Sequence, residues 1–385
     1  MRIKSALILL FALALAGGGA VSAAPPAPPA SLSISVSPAL LELSVKPGAT
    51  LEQEVTVTNG GDQAFDATIA VAPMPGGIAS DSAVNWLKIE PTALHLDPNQ
   101  KGTVKVSVTV PTGLRSGGYY AQVTATTGAT KAAGTAAGIS GQLGVPFLFT
   151  VQGEGAIVQQ ASIERFAPML ESDGRLSFRM LVKNGGNVHV ITQGKVEIAD
   201  ANGKHYASLD FPPSGRILPA TERILQTQGS IPVQSGATYK AATSMTYGDK
   251  KAPLTADATF KVAPPSVSVG DMTVCENLDK GPTLSASLKD DGDLALEPTI
   301  QLGVRTASGT DLGEAALPGP TLLWPHESAA VKVDFPQRLD SGQYVFVVTT
   351  QFAPGKPVTK EFPFQIGGTG ANVAPLCATQ GTPAA

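Results

Sequence analysis

The sequence predicts an all-β chain that folds as three β-sandwiches in a row behind a leader segment. Three observations support this prediction. Glycine and proline number 41 and 31 among 385 residues, while charged residues make up only 15%. One set of landmarks recurs three times along the chain, and apolar residues between the landmarks alternate with a period of two. Short strands separated by turns have this composition and this period, and helices do not.

The N-terminus has the pattern of a secretory signal peptide. Arg2 and Lys4 precede an apolar run over residues 6–16, and small residues at 21–23 suit a signal peptidase, so cleavage is predicted after Ala23. The apolar run is too short to cross a bilayer as a helix. Residues 24–30 are a predicted proline- and alanine-rich spacer. The predicted location is therefore the periplasm or the cell surface, with no membrane insertion after cleavage.

The charge of the chain excludes some partner classes. The formal net charge is −4, and the sequence has no basic cluster. Nucleic acids and anionic membranes both demand clustered lysine and arginine. The expected partners are another envelope protein or a cell-wall glycan, and no cofactor is predicted.

The repeat is defined by three landmarks. The first is a tight turn that begins at Asn59, Asn184 and Asp290. The second is an apolar pair that runs into a proline turn, at Pro98, Pro219 and Pro325. The third is a Ser-Gly segment that leads into a tyrosine, at Tyr119, Tyr239 and Tyr344. Turn and proline lie 39, 35 and 35 residues apart in the three copies. Asparagine, aspartate and glycine tolerate the backbone angles of tight hairpins.

The repeat sets the predicted domain boundaries. A short hinge, Ala263-Pro264-Pro265, precedes the third copy. The predicted domains span 31–152, 153–262 and 266–367, and 368–385 is a predicted tail. Within them, Val104, Val106 and Val108 alternate with polar residues, which predicts a strand with one buried face.

Two stretches carry a family resemblance. Trp86–Pro91, followed by Leu96-Asp97-Pro98 and Thr103–Val106, resembles secreted bacterial immunoglobulin-like modules. The nearest are the peptidoglycan-binding domains of WxL-type surface proteins, and pilus-chaperone-like domains are more distant. The Ser-Gly-x-Tyr landmark resembles the tyrosine corner of immunoglobulin-like domains. The resemblance covers the first two predicted domains, and together with the repeat it implies three tandem immunoglobulin-like (fibronectin-III or pilus-chaperone-like) β-sandwich domains.

Two further features concern single residues. Cys275 and Cys377 are the only cysteines, and in a secreted chain they are predicted to form a disulfide. A redox pair would require closer spacing. The acidic turn at 290–293 offers oxygen ligands to Ca²⁺, but its place in the repeat favours a hairpin turn.

The most suggestive binding segment is residues 143–151. Its apolar residues share one face, and Pro146 cannot donate to a strand ladder, which points to a sheet edge. Such an edge accepts a partner strand by β-augmentation. The alternative is the last strand of the first domain, packed in its own core. The candidate residues are Leu143, Val145, Phe147, Phe149 and Val151.

No catalytic or metal site is predicted. The histidines are scattered, and nucleophile, phosphate-binding and zinc motifs are missing from the sequence. The leading hypothesis is a non-enzymatic envelope scaffold or adhesive protein that binds a cell-wall polymer or another envelope protein. The alternative is a periplasmic pilus assembly chaperone that acts by strand addition. A glycan hydrolase is a third hypothesis.

Overall fold

The computed structural model describes residues 32–128, 130–131, 138–248, 253–277, 280–316, 322–352, 356–368 and 372–377. The predicted leader and spacer lie outside these residues, as does most of the predicted tail. Strands dominate the described chain, and its helical elements are two short 3₁₀ turns, Ala79–Asp81 and Val84–Trp86. No helix of the described ranges has the length and apolar character to cross a membrane. The all-β prediction is confirmed.

The first pair of sheets, together with a separate two-stranded ribbon, is here called the first unit and contains eleven strands. They are β1 (Ile34–Ser37), β2 (Leu41–Val45), β3 (Thr50–Asn59), β4 (Phe65–Ala72), β5 (Leu87–Glu90), β6 (Ala93–Leu96), β7 (Lys101–Thr109), β8 (Gly117–Thr127), β9 (Thr130–Lys131), β10 (Gly138–Ile139) and β11 (Gln142–Val151). One sheet has the order β1-β3-β7-β5 and the other β2-β11-β8-β4-β6, with β9 and β10 as a separate two-stranded ribbon. Because β1 and β2 join different sheets, the N-terminal segment crosses from one sheet to the other.

The second unit contains seven strands in two sheets. They are β12 (Ala161–Leu170), β13 (Leu176–Asn184), β14 (Thr192–Asp200), β15 (His205–Phe211), β16 (Glu222–Gln226), β17 (Thr238–Tyr247) and β18 (Leu254–Lys261). The sheet orders are β12-β13-β16 and β15-β14-β17-β18.

The third unit repeats this topology. Its strands are β19 (Val267–Cys275), β20 (Thr283–Asp290), β21 (Thr299–Thr306), β22 (Asp311–Ala316), β23 (Ser328–Asp334), β24 (Gly342–Gln351) and β25 (Val358–Ile366). The orders β19-β20-β23 and β22-β21-β24-β25 match those of the second unit strand for strand.

Each pair of sheets encloses its own apolar cluster. Val104, Val106 and Val108 are buried in the first cluster, while Lys105 between them is exposed, as the alternation predicts. Phe178 is among the buried residues of the second cluster and Phe346 among those of the third. Burying one such side chain contributes about 1.5–3 kcal/mol, so packing between the two sheets holds each unit together.

The first two landmarks of the repeat lie in contact. The amide nitrogen of Asn59 donates to the carbonyl oxygens of Gln63 (2.8 Å) and Leu96 (3.0 Å). Asn184 donates in the same way to Val188 and Ile217, both at 2.8 Å. The turn therefore fastens the strand that precedes the proline, which explains why the two landmarks keep their spacing.

The third landmark and the cysteines also behave as expected. The hydroxyl of Tyr344 donates to the carbonyl of Asp340 at 2.8 Å, the contact that a tyrosine corner implies. Cys275 and Cys377 form a disulfide across a sequence separation of 102 residues. Loop closure of that length is worth about 4–5 kcal/mol in the chain-entropy model, so the C-terminal segment is fastened to the start of the third unit.

Candidate strand-binding edge and the junctions between units

Strand β11 is paired along its whole length on one side and along half its length on the other. All ten residues, Gln142–Val151, pair antiparallel with β8. Only Phe147–Val151 pairs with β2, in parallel register with Leu41–Val45. Among the described residues, no strand pairs with the second side of Gln142–Pro146. This five-residue stretch is here called the open half-edge.

The backbone groups of the open half-edge point outward in a fixed order. The carbonyl of Gly141 accepts a hydrogen bond from the N–H of Thr127 at 2.8 Å, so the backbone N–H and C=O groups of odd-numbered residues point towards β8. The N–H of Gln152 donates to the carbonyl of Val45 on β2 at 2.8 Å, so the backbone groups of even-numbered residues point away from β8. Since successive residues of a strand alternate, the N–H of Gly144 faces outward. Pro146 faces outward too, where its missing N–H disturbs no pairing with β8.

The five apolar side chains predicted as a binding face lie inside the first unit. Val145, Phe147, Phe149 and Val151 are fully buried, and Leu143 is half-buried. The ring centroids of Phe149 and Trp86 are 5.3 Å apart in the core. A partner strand would therefore meet backbone groups of the half-edge, while these side chains support the strand from beneath.

Part of the outer face of the same sheet is covered by the second unit. Register places Glu42, Leu148 and Tyr120 side by side on β2, β11 and β8. Tyr120 and Leu148 are buried against Leu218 of the second unit. This contact is called the first junction, and it also includes Gly118, Asn187, His189, Glu42 and Arg216.

Hydrogen bonds to backbone groups fix the first junction. The hydroxyl of Tyr120 accepts a bond from the N–H of His189 at 2.9 Å. The N–H of Gly118 donates to the carbonyl of Asn187 at 2.6 Å. A Cβ at position 118 would collide with the Tyr120 hydroxyl, so glycine is required for this approach. Burial raises the pKa of the Tyr120 hydroxyl, which keeps the group neutral.

A charged group closes the rim of the first junction. Arg216 donates to Glu42 at 2.6 Å, and the imidazole of His189 lies 3.2 Å from the same carboxylate. The hydrogen bond from Arg216 lowers the pKa of Glu42. Burial lowers the pKa of His189, although Glu42 opposes that change. The carboxylate is ionised and the imidazole neutral near pH 7, a structural arrangement rather than one that activates a nucleophile.

A cavity opens beside the first junction. It has a volume of about 360 Å³, and Tyr120 forms part of its wall. Apolar side chains supply most of the remaining lining, with Asp81 and Ser82 as polar groups. The further lining residues include Pro73, Met74 and Ile78.

The second junction joins the second and third units by an inserted loop. Ala295 of the third unit pairs in parallel with Met169 on β12, and its N–H donates to the carbonyl of Pro168 at 2.8 Å. Leu294 packs in the apolar cluster of the second unit. Trp324 is buried in the contact, together with Ala167, Met169, Leu181 and Ala295.

Arginines complete the second junction. The side chain of Arg179 is 5% exposed and donates to Glu297 of the third unit at 3.2 Å. It also donates to the hydroxyl of Ser177 at 2.9 Å. Arg165 binds Glu327 across the junction at 2.6 Å and lies 6.0 Å from the Trp324 ring centroid. A buried guanidinium needs such partners, and here one of them comes from each unit.

The remaining histidines occupy structural positions. His95 lies 2.7 Å from Asp66, and His326 lies 3.3 Å from Asp293. His205 lies 3.6 Å from Glu197. Within the described ranges, no group of three or more histidine, cysteine, aspartate or glutamate side chains could hold a metal ion.

The comparisons with known proteins give a fold likeness only. No family model matches the chain, and no curated protein matches it. The solved structures it resembles include the class 5 fimbriae chaperone CfaA, with 11% identity and a TM-score of 0.32 over 58% of this chain and 98% of that chain. The E. coli chaperone DraB has 12% sequence identity and a TM-score of 0.31, over 58% of this chain and 98% of DraB. A protein of unknown function from Porphyromonas gingivalis W83 has 12% sequence identity and a TM-score of 0.23, over 60% of this chain and 98% of that protein.

Fimbrial chaperones are thus among the structures that the chain resembles, as the more distant part of the sequence resemblance implies. The resemblance to peptidoglycan-binding domains of WxL-type proteins gains no support from these matches.

Sequence reasoning missed both junctions. Glu42 and Arg216 are 174 residues apart in the chain, and neither belongs to a landmark. One local signal was present. The first copy has two tyrosines, Tyr119 and Tyr120, where the other copies have one, and the additional tyrosine is the junction residue.

Proposed function

We propose that this chain is a non-enzymatic protein of the cell envelope that binds another envelope protein at the open half-edge. The observation that carries the proposal is the pairing of Gln142–Pro146 with β8 alone, while the rest of β11 is paired on both sides. An unpaired strand edge presents a row of backbone donors and acceptors to an added strand.

Other features of the chain support a scaffold that presents this edge. The two junctions join the three units through buried contacts and ion pairs. The disulfide suits an oxidising compartment, in agreement with the signal peptide predicted at residues 1–23. The proposed location is the periplasm or the cell surface, and the proposed division is one domain for each pair of sheets.

A second candidate is an assembly chaperone for pilin-like subunits. The same half-edge favours it, because an assembly chaperone must lend an accessible strand edge to its client. The two candidates differ in the partner. A chaperone forms a soluble one-to-one complex with a pilin subunit, whereas a scaffold retains a mature envelope protein.

The test blocks the outward backbone group without disturbing the core. Gly144→Pro removes one of the two outward N–H groups of the half-edge, the other being that of Gln142. Gly144→Ala is the matched control, because it keeps the N–H and adds a Cβ that displaces only the end of the flexible Gln122 side chain, 2.5 Å away. Purified full chain is used to capture proteins from a membrane-free envelope extract of the source cells, with purified peptidoglycan as a parallel bait. We expect wild type and Gly144→Ala to retain the same envelope protein and Gly144→Pro to lose at least about 90% of it, since Pro146 already lacks an N–H and only the outward N–H of Gln142 would remain to bind an added strand.

Two results would contradict the proposal. Equal capture by both variants would place the binding site elsewhere. Binding to peptidoglycan with no protein retained would replace the protein partner with the glycan. A substitution such as Phe147→Asp is unsuitable here, because Phe147 is fully buried and a carboxylate at that position would unfold the first unit.

A further inference from the structure

The first landmark turn of the third unit holds a buried carboxyl group with one unpaired oxygen. Asp290 is 0% exposed. Its Oδ1 accepts a hydrogen bond from the N–H of Gly292 at 2.9 Å. Its Oδ2 is buried and has no hydrogen-bond partner.

The other two units show what this position normally holds. Asn184 accepts from Gly186 at 2.8 Å through its Oδ1, as Asp290 accepts from Gly292. The Nδ2 of Asn184 donates to the carbonyl of Val188, four residues further on, and to that of Ile217, two residues before the landmark proline Pro219. Asn59 makes the same three bonds.

In the third unit, the same spacing makes the carbonyls of Leu294 and Leu323 the equivalents of these two acceptors. The backbone supports this equivalence, since the N–H of Leu296 donates to the Leu323 carbonyl at 2.9 Å as that of Val190 donates to Ile217 at 3.0 Å. An ionised Oδ2 has no proton to give either carbonyl. A protonated Oδ2 is a donor and restores one of the two bonds that asparagine makes.

The turn that Asp290 begins leads directly into the second junction. Leu294 packs in the core of the second unit, and Ala295 pairs with Met169. Leu296 packs in the core of the third unit. Asp290 therefore begins the segment that fastens the third unit to the second.

We propose that Asp290 is a proton-dependent latch of the second junction: its protonated carboxyl group replaces the asparagine amide and holds the 290–296 turn, and its ionisation loosens that turn. This inference is independent of the proposed partner at the open half-edge.

The charged groups around the turn are few and mostly paired with one another. His326 lies 3.3 Å from Asp293, whose carboxylate also accepts from the backbone N–H of Lys261 at 2.9 Å. Asp291 binds Lys289 at 3.2 Å. From β23, Glu327 offers its backbone carbonyl to the N–H of Asp290 and turns its side chain to Arg165.

Burial dominates the electrostatics at Asp290. It raises the pKa of the carboxyl group to about 7, with Asp291 and Asp293 acting in the same direction and the Gly292 N–H and His326 opposing. Between the ordinary aspartate pKa and about pH 7, the folded third unit therefore keeps a proton that the unfolded chain has lost. Stability from this group is full below the ordinary pKa and declines as the pH rises towards about 7, above which no further loss occurs.

The test is amide hydrogen exchange of the full chain between pH 5.5 and 8.5, with rates corrected for the intrinsic pH dependence of exchange. In the wild type we expect protection of residues 291–296 to fall several-fold per pH unit up to about pH 7, the linkage limit being about tenfold. Asp290→Asn supplies the missing amide, so its protection should stay high and flat across the range. Asp291→Asn, an exposed neighbour, should keep the wild-type slope.

The opposite substitution puts an aspartate at the equivalent position of the other two units and should make their turns pH-dependent as well. Asn184→Asp should give residues 185–190 the falling profile, and Asn59→Asp should do so for residues 60–65. The proposal is overturned if Asp290→Asn keeps the wild-type slope or lowers protection at pH 7.5. It is also overturned if both converse variants fold and show flat profiles.

Discussion

At the first junction the second unit covers a tyrosine and a leucine on the outer face of a sheet, and the charged groups lie at the rim. At the second junction the third unit sends a loop into its neighbour, and a guanidinium with 5% exposure lies inside the contact. The first contact depends on the hydroxyl of Tyr120 and the backbone N–H of His189, whereas the second depends on Trp324, Arg179 and the inserted turn.

The difference concerns how each contact relates to binding. The first junction lies on the sheet that contains the open half-edge, since Leu148 belongs to β11 itself. The position of the second unit is therefore tied to the strand that we propose binds the partner. The second junction contains no residue of that strand and fastens the third unit to the second. Variants at the two junctions should accordingly differ in size and in pH response.

The largest effect is expected at Trp324. Trp324→Ala removes the central side chain of the second junction and should lower the free energy of unfolding by about 3 kcal/mol, in the range of large-to-alanine changes in cores. Trp324→Phe retains most of the contact and should cost about 1 kcal/mol. Urea unfolding followed by circular dichroism measures both. Equal, small losses would show that the second junction contributes little.

A smaller effect is expected at Tyr120. Tyr120→Phe keeps the ring but leaves the backbone N–H of His189 without its acceptor, which should cost about 1–2 kcal/mol. Tyr119→Phe is the matched control, because the Tyr119 hydroxyl donates to Arg115 at 3.3 Å in an exposed position. The same urea titration applies. A loss at Tyr119 as large as that at Tyr120 would contradict this account of the first junction.

The smallest effect separates the junctions by the sign of their pH response. Since burial lowers the pKa of His189, the folded state resists a proton that the unfolded chain accepts, and stability is lost as the pH falls below the ordinary histidine value. Acidification from pH 7.5 to 5.5 should therefore loosen residues 187–190, while it tightens 291–296. Amide exchange follows both segments in one experiment. His189→Gln should flatten the first response, and a first junction that tightens in acid would refute the assignment.

Much of the architecture was predictable from local patterns. Alternation located strands such as β7, the three landmarks defined the repeat, and two cysteines in a secreted chain indicated the disulfide. Local patterns could not show what covers a strand from outside. Leu148 alternates to the outer face of β11, where sequence alone expects solvent, and the second unit buries it there. The role of Asp290 was hidden as well, because aspartate is as acceptable as asparagine in a turn and only burial distinguishes them.

The predicted binding segment shows the same limit. The position of Pro146 indicated an edge, and the period of two gave Val145, Phe147, Phe149 and Val151 a common face. Whether that face was surface or core depended on which sheet lay opposite. Pairing with β2 over only half of the strand depends on where the N-terminal segment changes sheets, between β1 and β2, and no periodicity encodes that point.

The most direct test of the open half-edge compares outward amides along β11 in the free, full-length chain. The backbone N–H groups of Gly144 and Leu148 point to the same side of β11, but β2 pairs only with the part of the strand that contains Leu148. Residue-resolved hydrogen exchange should show Gly144 exchanging at least about tenfold faster than Leu148, since exchange protection follows local hydrogen bonding. Equal protection of the two amides would mean that the half-edge is already closed, and the proposed binding site would be wrong.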